Sequence, residues 1–209
     1  MIYDNVLDAV GNTPLIRLNK MTGPEDAEIL VKFEAVNIGG SVKTRTAKKM
    51  IEAAEEKGLI HPGTIIVEPT SGNQGIGLAL IGAVKGYKTK IIMPDSVSEE
   101  RRKLVKGYGA EVILVHDDGD IGACIARCME LASEMAAEDP NVYVPQQFEN
   151  EANSQAQKEK TGREILEQAD VPIDGFCSGI GTGGTITGVG EALKEANPDV
   201  EIWAAEPEH

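Results

Sequence analysis

The stretch Ile65-Ile66-Val67-Glu68-Pro69-Thr70-Ser71-Gly72-Asn73-Gln74-Gly75-Ile76 decides the fold. Three consecutive β-branched apolar residues read as a buried strand. They run into a polar, glycine-containing loop, after which Ile76 to Val84 reads as an apolar helix. A strand passing through a short loop into a helix is half of a β–α–β unit, and such units build parallel sheets.

The alternation extends in both directions. Upstream, Gly11-Asn12-Thr13-Pro14-Leu15 is a turn leading into a short apolar segment, and Ile29 to Phe33 reads as a buried strand. Ala47, Met50, Ile51 and Ala54 recur at helical spacing between about Thr44 and Lys57, and Gly58 is the expected stop. Downstream, strands are predicted at Lys90–Met93, Glu111–Val115, Val142–Val144, Gly175–Ser178 and Val200–Ala204. Helices are predicted at Ser98–Tyr108, Ile121–Ala137, Glu151–Gln168 and Gly184–Ala196. This order predicts an α/β protein with parallel sheets and helices on both faces.

With 209 residues and a hydrophobic fraction of 41%, the chain can bury a core as one large domain or two small ones. A net charge of −14 argues against nucleic acid and anionic membrane surfaces, both of which need a basic face. No stretch is apolar for long enough to span a membrane, and Met1-Ile2-Tyr3-Asp4-Asn5 lacks the basic and apolar regions of a signal peptide. Three cysteines, Cys124, Cys128 and Cys177, form no disulfide framework and suggest a reducing, cytoplasmic setting. Cys124 and Cys128 have no histidine nearby to complete a metal set, so they read as small buried hydrophobes, and no metal is expected.

Three segments carry candidate chemistry. Gly39-Gly40-Ser41-Val42-Lys43 places a lysine at the start of a helix behind two glycines. A lysine in a partly dry pocket can lose its proton and act as nucleophile or base, although a surface lysine in a helix-opening loop is the plainer reading. Ser178-Gly179-Ile180-Gly181-Thr182-Gly183-Gly184-Thr185 joins a strand to a helix N-terminus, as phosphate cradles do. Its spacing Gly179-x-Gly181-x-x-Gly184, with Glu206 after the next strand, also matches a dinucleotide fingerprint, and close helix–strand packing would explain the glycines as well. Thr70-Ser71-Gly72-Asn73-Gln74 offers hydroxyls, amides and backbone N–H groups suited to a carboxylate, or simply a helix cap. A phosphate cradle, a carboxylate loop and a lysine able to hold an aldehyde together suit pyridoxal phosphate working on amino acids.

The chain resembles the cysteine synthase (O-acetylserine sulfhydrylase) family, with cystathionine β-synthase as a near relative. The resemblance rests on Gly11–Leu15, Asn37-x-Gly39-Gly40-Ser41-Val42-Lys43, Glu68–Asn73, Met93-Pro94, Glu100–Arg102, Tyr108–Glu111, Pro145–Asn150 and Gly181–Gly188, in family order. It implies a pyridoxal-phosphate enzyme of the tryptophan-synthase-β fold type, with two open parallel-sheet lobes and the cofactor between them. A smaller lobe of about residues 43–145 would be inserted into a larger one made of 1–42 and 146–209. The resemblance makes Lys43 the Schiff-base lysine and the base for the substrate α-proton, and Asn73 the partner of the cofactor's ring hydroxyl. It makes Gly181, Thr182, Gly183, Gly184 and Thr185 the phosphate cup. Thr70, Ser71, Gly72, Gln74 and Gln146 would hold the substrate carboxylate, with Gln147 the adjacent candidate.

The implied reaction is β-replacement through an aminoacrylate, above all cysteine synthesis from O-acetylserine and sulfide. Cysteine β-elimination, lanthionine or cystathionine formation on the same site, and a non-catalytic partner-binding member of the fold, are the alternatives. A nicotinamide site ranks below them because it leaves Lys43 and Thr70–Gln74 unexplained. A homodimer and docking of serine acetyltransferase are the implied partners. Ile38, Thr44 and Gln74 depart from the usual proline, aspartate and threonine. The chain stops at His209, short of the family's usual length, so the end of the larger lobe, with the serine expected beside the cofactor's ring nitrogen, is expected to be missing.

Overall fold

A computed structural model describes residues 2–208. In chain order the strands are β1 (Leu15–Arg17), β2 (Leu30–Lys32), β3 (Ile65–Pro69), β4 (Lys88–Pro94), β5 (Glu111–Val115), β6 (Val142–Tyr143), β7 (Gly175–Gly179) and β8 (Glu201–Ala205). The helices are α1 (Lys43–Glu56), α2 (Asn73–Lys85), α3 (Glu99–Gly107), α4 (Ile121–Glu138), α5 (Ala152–Ala156), α6 (Arg163–Gln168) and α7 (Gly184–Ala196). A wide π-type turn, Gln157–Gly162, joins α5 to α6 so that the three form one continuous helical segment.

Four strands make a parallel sheet in the order β5-β4-β3-β6. Successive residues of its central strands face opposite ways, as the period of two requires. Ile66 and Ile91 pack with Ala47 and Ile51 of α1, with Leu78 and Ile81 of α2 and with Val105 of α3. Their neighbours Val67 and Ile92 pack on Cys124, Cys128 and Ala132 of α4. Helices therefore cover both faces, and the two cysteines are core residues. A second parallel pair, β7-β8, carries α6 and α7 through Ile165, Val189, Leu193, Phe176 and Ile202.

The segment expected as a buried strand at Ile29–Phe33 behaves differently. Only Leu30–Lys32 is extended, and it pairs antiparallel with β1, with Val31 36% and Ile16 41% exposed. The connection 18–29 reverses the chain, and the Leu18 N–H donates to the Ile29 carbonyl (2.9 Å) and the Phe33 N–H to the Pro14 carbonyl (3.0 Å) at the two ends of the pair. Two short strands with one open face are the result, not a member of a parallel sheet.

A buried ionic knot ties this N-terminal segment to α1 and α6. Arg45 of α1, with a side chain only 2% exposed, donates to both oxygens of Glu164 (2.6 and 2.7 Å) and both of Glu34 (2.9 and 2.9 Å). Lys32 reaches Glu164 at 2.7 Å, and the Asn12 N–H donates to the same carboxylate at 3.0 Å. Burial alone would raise the Glu164 carboxyl. The bonds from Arg45, Lys32 and Asn12 overcome that and hold it at about 2. Among the described residues, no helix is long and apolar enough to cross a membrane.

Candidate active site

Lys43 is the first residue of α1, entered through Gly39 and Gly40, both in the left-handed region (φ 83° and 78°). Its amine donates to Gln147 Oε1 at 3.3 Å and to Thr182 Oγ1 at 3.1 Å. Burial lowers the lysine's proton affinity, and the nearby Glu68 carboxylate works against that shift. The α1 and α2 N-termini lie side by side at Gly77, where an added Cβ would stand 3.1 Å from the Lys43 carbonyl oxygen and 3.0 Å from Ala47 Cβ.

Glu68, at the end of β3 and 1% exposed, accepts the backbone N–H groups of Gln146 (3.0 Å) and Gln147 (3.1 Å), one on each oxygen. Burial drives its carboxyl up to about 7 in spite of these amides and Lys43. The double acceptance holds residue 146 in a left-handed conformation (φ 58°). This turn leaves the Gln146 side chain exposed and brings Gln147, buried, to Lys43. The glutamine that meets the lysine is therefore Gln147 and not Gln146, a correction to the residue favoured from sequence.

Thr70, Ser71, Gly72 and Asn73 lie at the carboxyl end of β3 and the start of α2, where open sheets bind ligands. The Gly72 N–H turns back to Thr70 Oγ1 (3.3 Å), and Asn73 is exposed at the first position of α2. Gln74 needs a second correction. Its side chain, 1% exposed, turns away from the loop and donates to Met50 Sδ at 3.3 Å, while its Oε1 finds no partner. The second position of α2 faces α1, so this residue joins the interhelix contact.

The glycine-rich loop follows β7. Gly183 caps α7 in the left-handed region (φ 79°). The amides of Gly181 through Ile186 find no acceptor among the described residues. Six free N–H groups at a helix N-terminus could receive an anion, and Thr182 and Thr185 add hydroxyls. A cleft of about 1200 Å³ opens here, lined by Lys43, Gly181–Thr185 and apolar residues that include Phe176 and Trp203. Thr70–Gln74 does not line it; the two regions meet through Glu68, Gln147 and Lys43.

Sequence reasoning missed Glu68 and Asn153 as site residues. A glutamate ending the apolar run Ile65-Ile66-Val67 was the available sign for the first, since a buried carboxylate needs partners. Asn153, 4% exposed, donates from Nδ2 to the Gln147 carbonyl (2.9 Å) and to Thr182 Oγ1 (2.8 Å). Nothing in its local sequence marks it.

An amine of lowered proton affinity beside an anion cradle can hold an aldehyde that carries a phosphate. Comparison with known proteins agrees. The chain is 47% identical over 209 residues to a cysteine synthase of Flavobacterium sp., covering 100% of this chain and 66% of that protein. It is 46% identical to a probable cysteine synthase of Bacillus subtilis, covering 99% and 66%. It superposes on a hydrogen sulfide-producing enzyme of Fusobacterium nucleatum with a TM-score of 0.91 at 44% identity, covering 100% of this chain and 67% of that one. The chain thus spans about two thirds of the length of these relatives (66%, 66% and 67%). The dinucleotide reading of Gly179–Gly184 yields to these matches. The family model for pyridoxal-phosphate dependent enzymes matches residues 6–209, almost the whole chain, and the chain belongs to that family.

Proposed function

We propose that this protein carries out pyridoxal-phosphate-dependent β-replacement on a serine-type amino acid, namely cysteine synthesis from O-acetylserine and sulfide. The observation that carries the reading is the 3.1 Å contact between Lys43 Nζ and Thr182 Oγ1. The contact supports the reading because it joins an amine of lowered proton affinity to the glycine-rich loop that would take the phosphate. The residues of the cleft fit the cofactor: Gly181–Thr185 would take its phosphate and Lys43 its aldehyde, and Asn73, outside the cleft lining, is the residue proposed for its ring hydroxyl. When bound, it withdraws electrons from the amino acid's Cα, which makes the α-proton acidic and lets the β-substituent leave.

The chain's own groups do the rest. Thr70, Ser71 and Gly72 from one side and Gln147 from the other would hold the substrate carboxylate. Lys43 Nζ, once free, takes the α-proton and returns it after the thiol has added. Glu68 keeps Gln147 in place by holding its amide. The division into a smaller lobe at 43–145, homodimerisation and docking of serine acetyltransferase belong to the same reading. All four strands of the larger sheet lie within residues 65–143, which supports the division.

A second reading, release of sulfide from cysteine at the same site, is favoured by the likeness to the F. nucleatum enzyme. The test is a visible absorbance spectrum of the purified protein and Lys43→Ala, before and after O-acetylserine. A cofactor band present in the wild type, absent in the variant and shifted by O-acetylserine is expected. Equal, colourless spectra after incubation with pyridoxal phosphate would sink the reading. Cysteine formed from O-acetylserine and sulfide, against sulfide formed from cysteine alone, separates the two reactions.

A further inference from the structure

A neutral amine has two N–H bonds and one lone pair. At Lys43 two acceptors, Gln147 Oε1 at 3.3 Å and Thr182 Oγ1 at 3.1 Å, match the two hydrogens of the neutral form, and in that form the lone pair points away from both. The two acceptors come from separate segments of the chain, yet one residue ties them. Asn153 Nδ2 donates to Thr182 Oγ1 at 2.8 Å and to the Gln147 carbonyl at 2.9 Å. Its Oδ1 accepts from the hydroxyl of Thr46, which lies on α1 close after Lys43, at 3.2 Å. That bond fixes which end of the amide faces the site. Thr46 Oγ1 accepts in turn from Gln157 Nε2 at 3.1 Å, and Gln157 Oε1 accepts from Thr161 at 2.7 Å. The chain of bonds is buried, and its second half lies on the π-type turn. Gly184 completes the fit, because any Cβ there would collide with the Asn153 amide.

We propose that Asn153 is a positioning residue for Lys43, one buried amide that holds both acceptors of the lysine's hydrogens and so aims its lone pair. It acts through Gln147 and Thr182. The proposal rests on the reading that Lys43 takes the aldehyde of pyridoxal phosphate. In that attachment Nζ bonds to the aldehyde carbon, and the carbonyl oxygen leaves as water with the two amine hydrogens.

The experiment follows attachment of pyridoxal phosphate to cofactor-free protein by visible absorbance, with borohydride trapping and the mass of the Lys43 peptide. Asn153→Asp keeps the shape of the side chain but removes both donors. It should slow attachment about 10- to 100-fold, as small misplacements of a reacting group do. Gly184→Ala should slow it similarly by pushing the amide aside. Asn153→Ala with Gly184→Ala should be no slower than Asn153→Ala alone, because the methyl enters the vacated space. A second readout needs no cofactor: competitive acetylation of Lys43 against the exposed Lys103 across pH. Lys43 should react at lower pH than Lys103 in the wild type, and its profile should move toward that of Lys103 in the variants. A wild type that takes no cofactor at Lys43 defeats the proposed function, while the acetylation profiles still decide the role of Asn153. Wild-type behaviour of Asn153→Asp in both readouts, with a native circular dichroism spectrum, overturns the proposal. If Asn153→Asp does not fold, additive slowing in the alanine pair overturns it instead.

Discussion

Arg45→Met should be among the most damaging single substitutions outside the cleft. The guanidinium neutralises two carboxylates at once and has almost no access to water. Its removal strands them unequally. Glu164 keeps Lys32 at 2.7 Å and the Asn12 amide at 3.0 Å, whereas Glu34 keeps only the Thr13 hydroxyl at 2.6 Å and the Asn37 amide at 3.1 Å. Breaking a buried pair by deleting one partner costs about 3–5 kcal/mol, mostly for the charge left behind. With a urea m-value of about 2–3 kcal/mol/M, the unfolding midpoint should fall by about 1–2 M. Equilibrium unfolding followed by far-ultraviolet circular dichroism measures it. R45M/E34Q/E164Q, which removes both stranded charges, should recover part of the loss. A shift in R45M below about 0.3 M, or no recovery in the triple variant, would refute the reasoning. The pH dependence has a fixed sign. Glu164 is depressed to about 2, so its contribution is fully present above the ordinary carboxylate value and is lost as pH falls through about 2.

Other consequences can be checked separately. Gln147→Ala should lower kcat/KM about 10- to 100-fold, the worth of a hydrogen bond to a charged group, while Gln146→Ala changes it little; equal effects would contradict the geometry at Glu68. Glu68 has a folded-state value raised to about 7, so its ionisation costs stability that grows between its ordinary value and pH 7 and then levels off. Glu68→Gln should remove that slope, read as the thermal midpoint of variant minus wild type at a series of pH values. Gly188→Ala should lower the thermal midpoint by about 5–10 °C, since its methyl would overlap the Ser154 carbonyl and stand 2.7 Å from the Lys158 amide; an unchanged midpoint would mean that α7 can move off freely.

Elements with a regular apolar pattern were legible in the sequence. Glu111–Val115, although an edge strand with no fully buried residue, and Gly184–Ala196 have the bounds that their patterns predict, and Ile65–Val67 lengthens only by the two residues that enter the loop. The pairing of Leu30–Lys32 was not legible, because alternation gives a strand's faces but not its neighbour or its direction. Lys43 and the glycine loop could be read because glycine, lysine and helix start are adjacent in the chain. The choice between Gln146 and Gln147 could not, since it turns on a carboxylate 78 residues away from the first of them. Gln74 looked like a ligand-binding residue for the company it keeps in sequence, but helix phase directs it to Met50. Asn153 is an ordinary asparagine in the first turn of a helix until Thr46, Gln147, Thr182 and Gly184 are gathered around it.

The π-type turn at Gln157–Gly162 sets the phase between two otherwise separate polar assemblies. Ahead of it, Asn153 faces Thr182 and Gln147; after it, Glu164 faces Arg45. Each residue of an α-helix turns the side-chain direction by about 100°, and a wide turn accommodates one residue more than a regular one. Forcing Gln157–Gly162 into a regular helix with every residue retained would make the bonding uniform and advance the phase by about 100°. It would also swing Glu164 and Ile165 around the axis, away from the ionic knot and the β7–β8 core. A locally better helix would then be a worse protein, and the irregularity works as the gear tooth that keeps anchor and cleft in step.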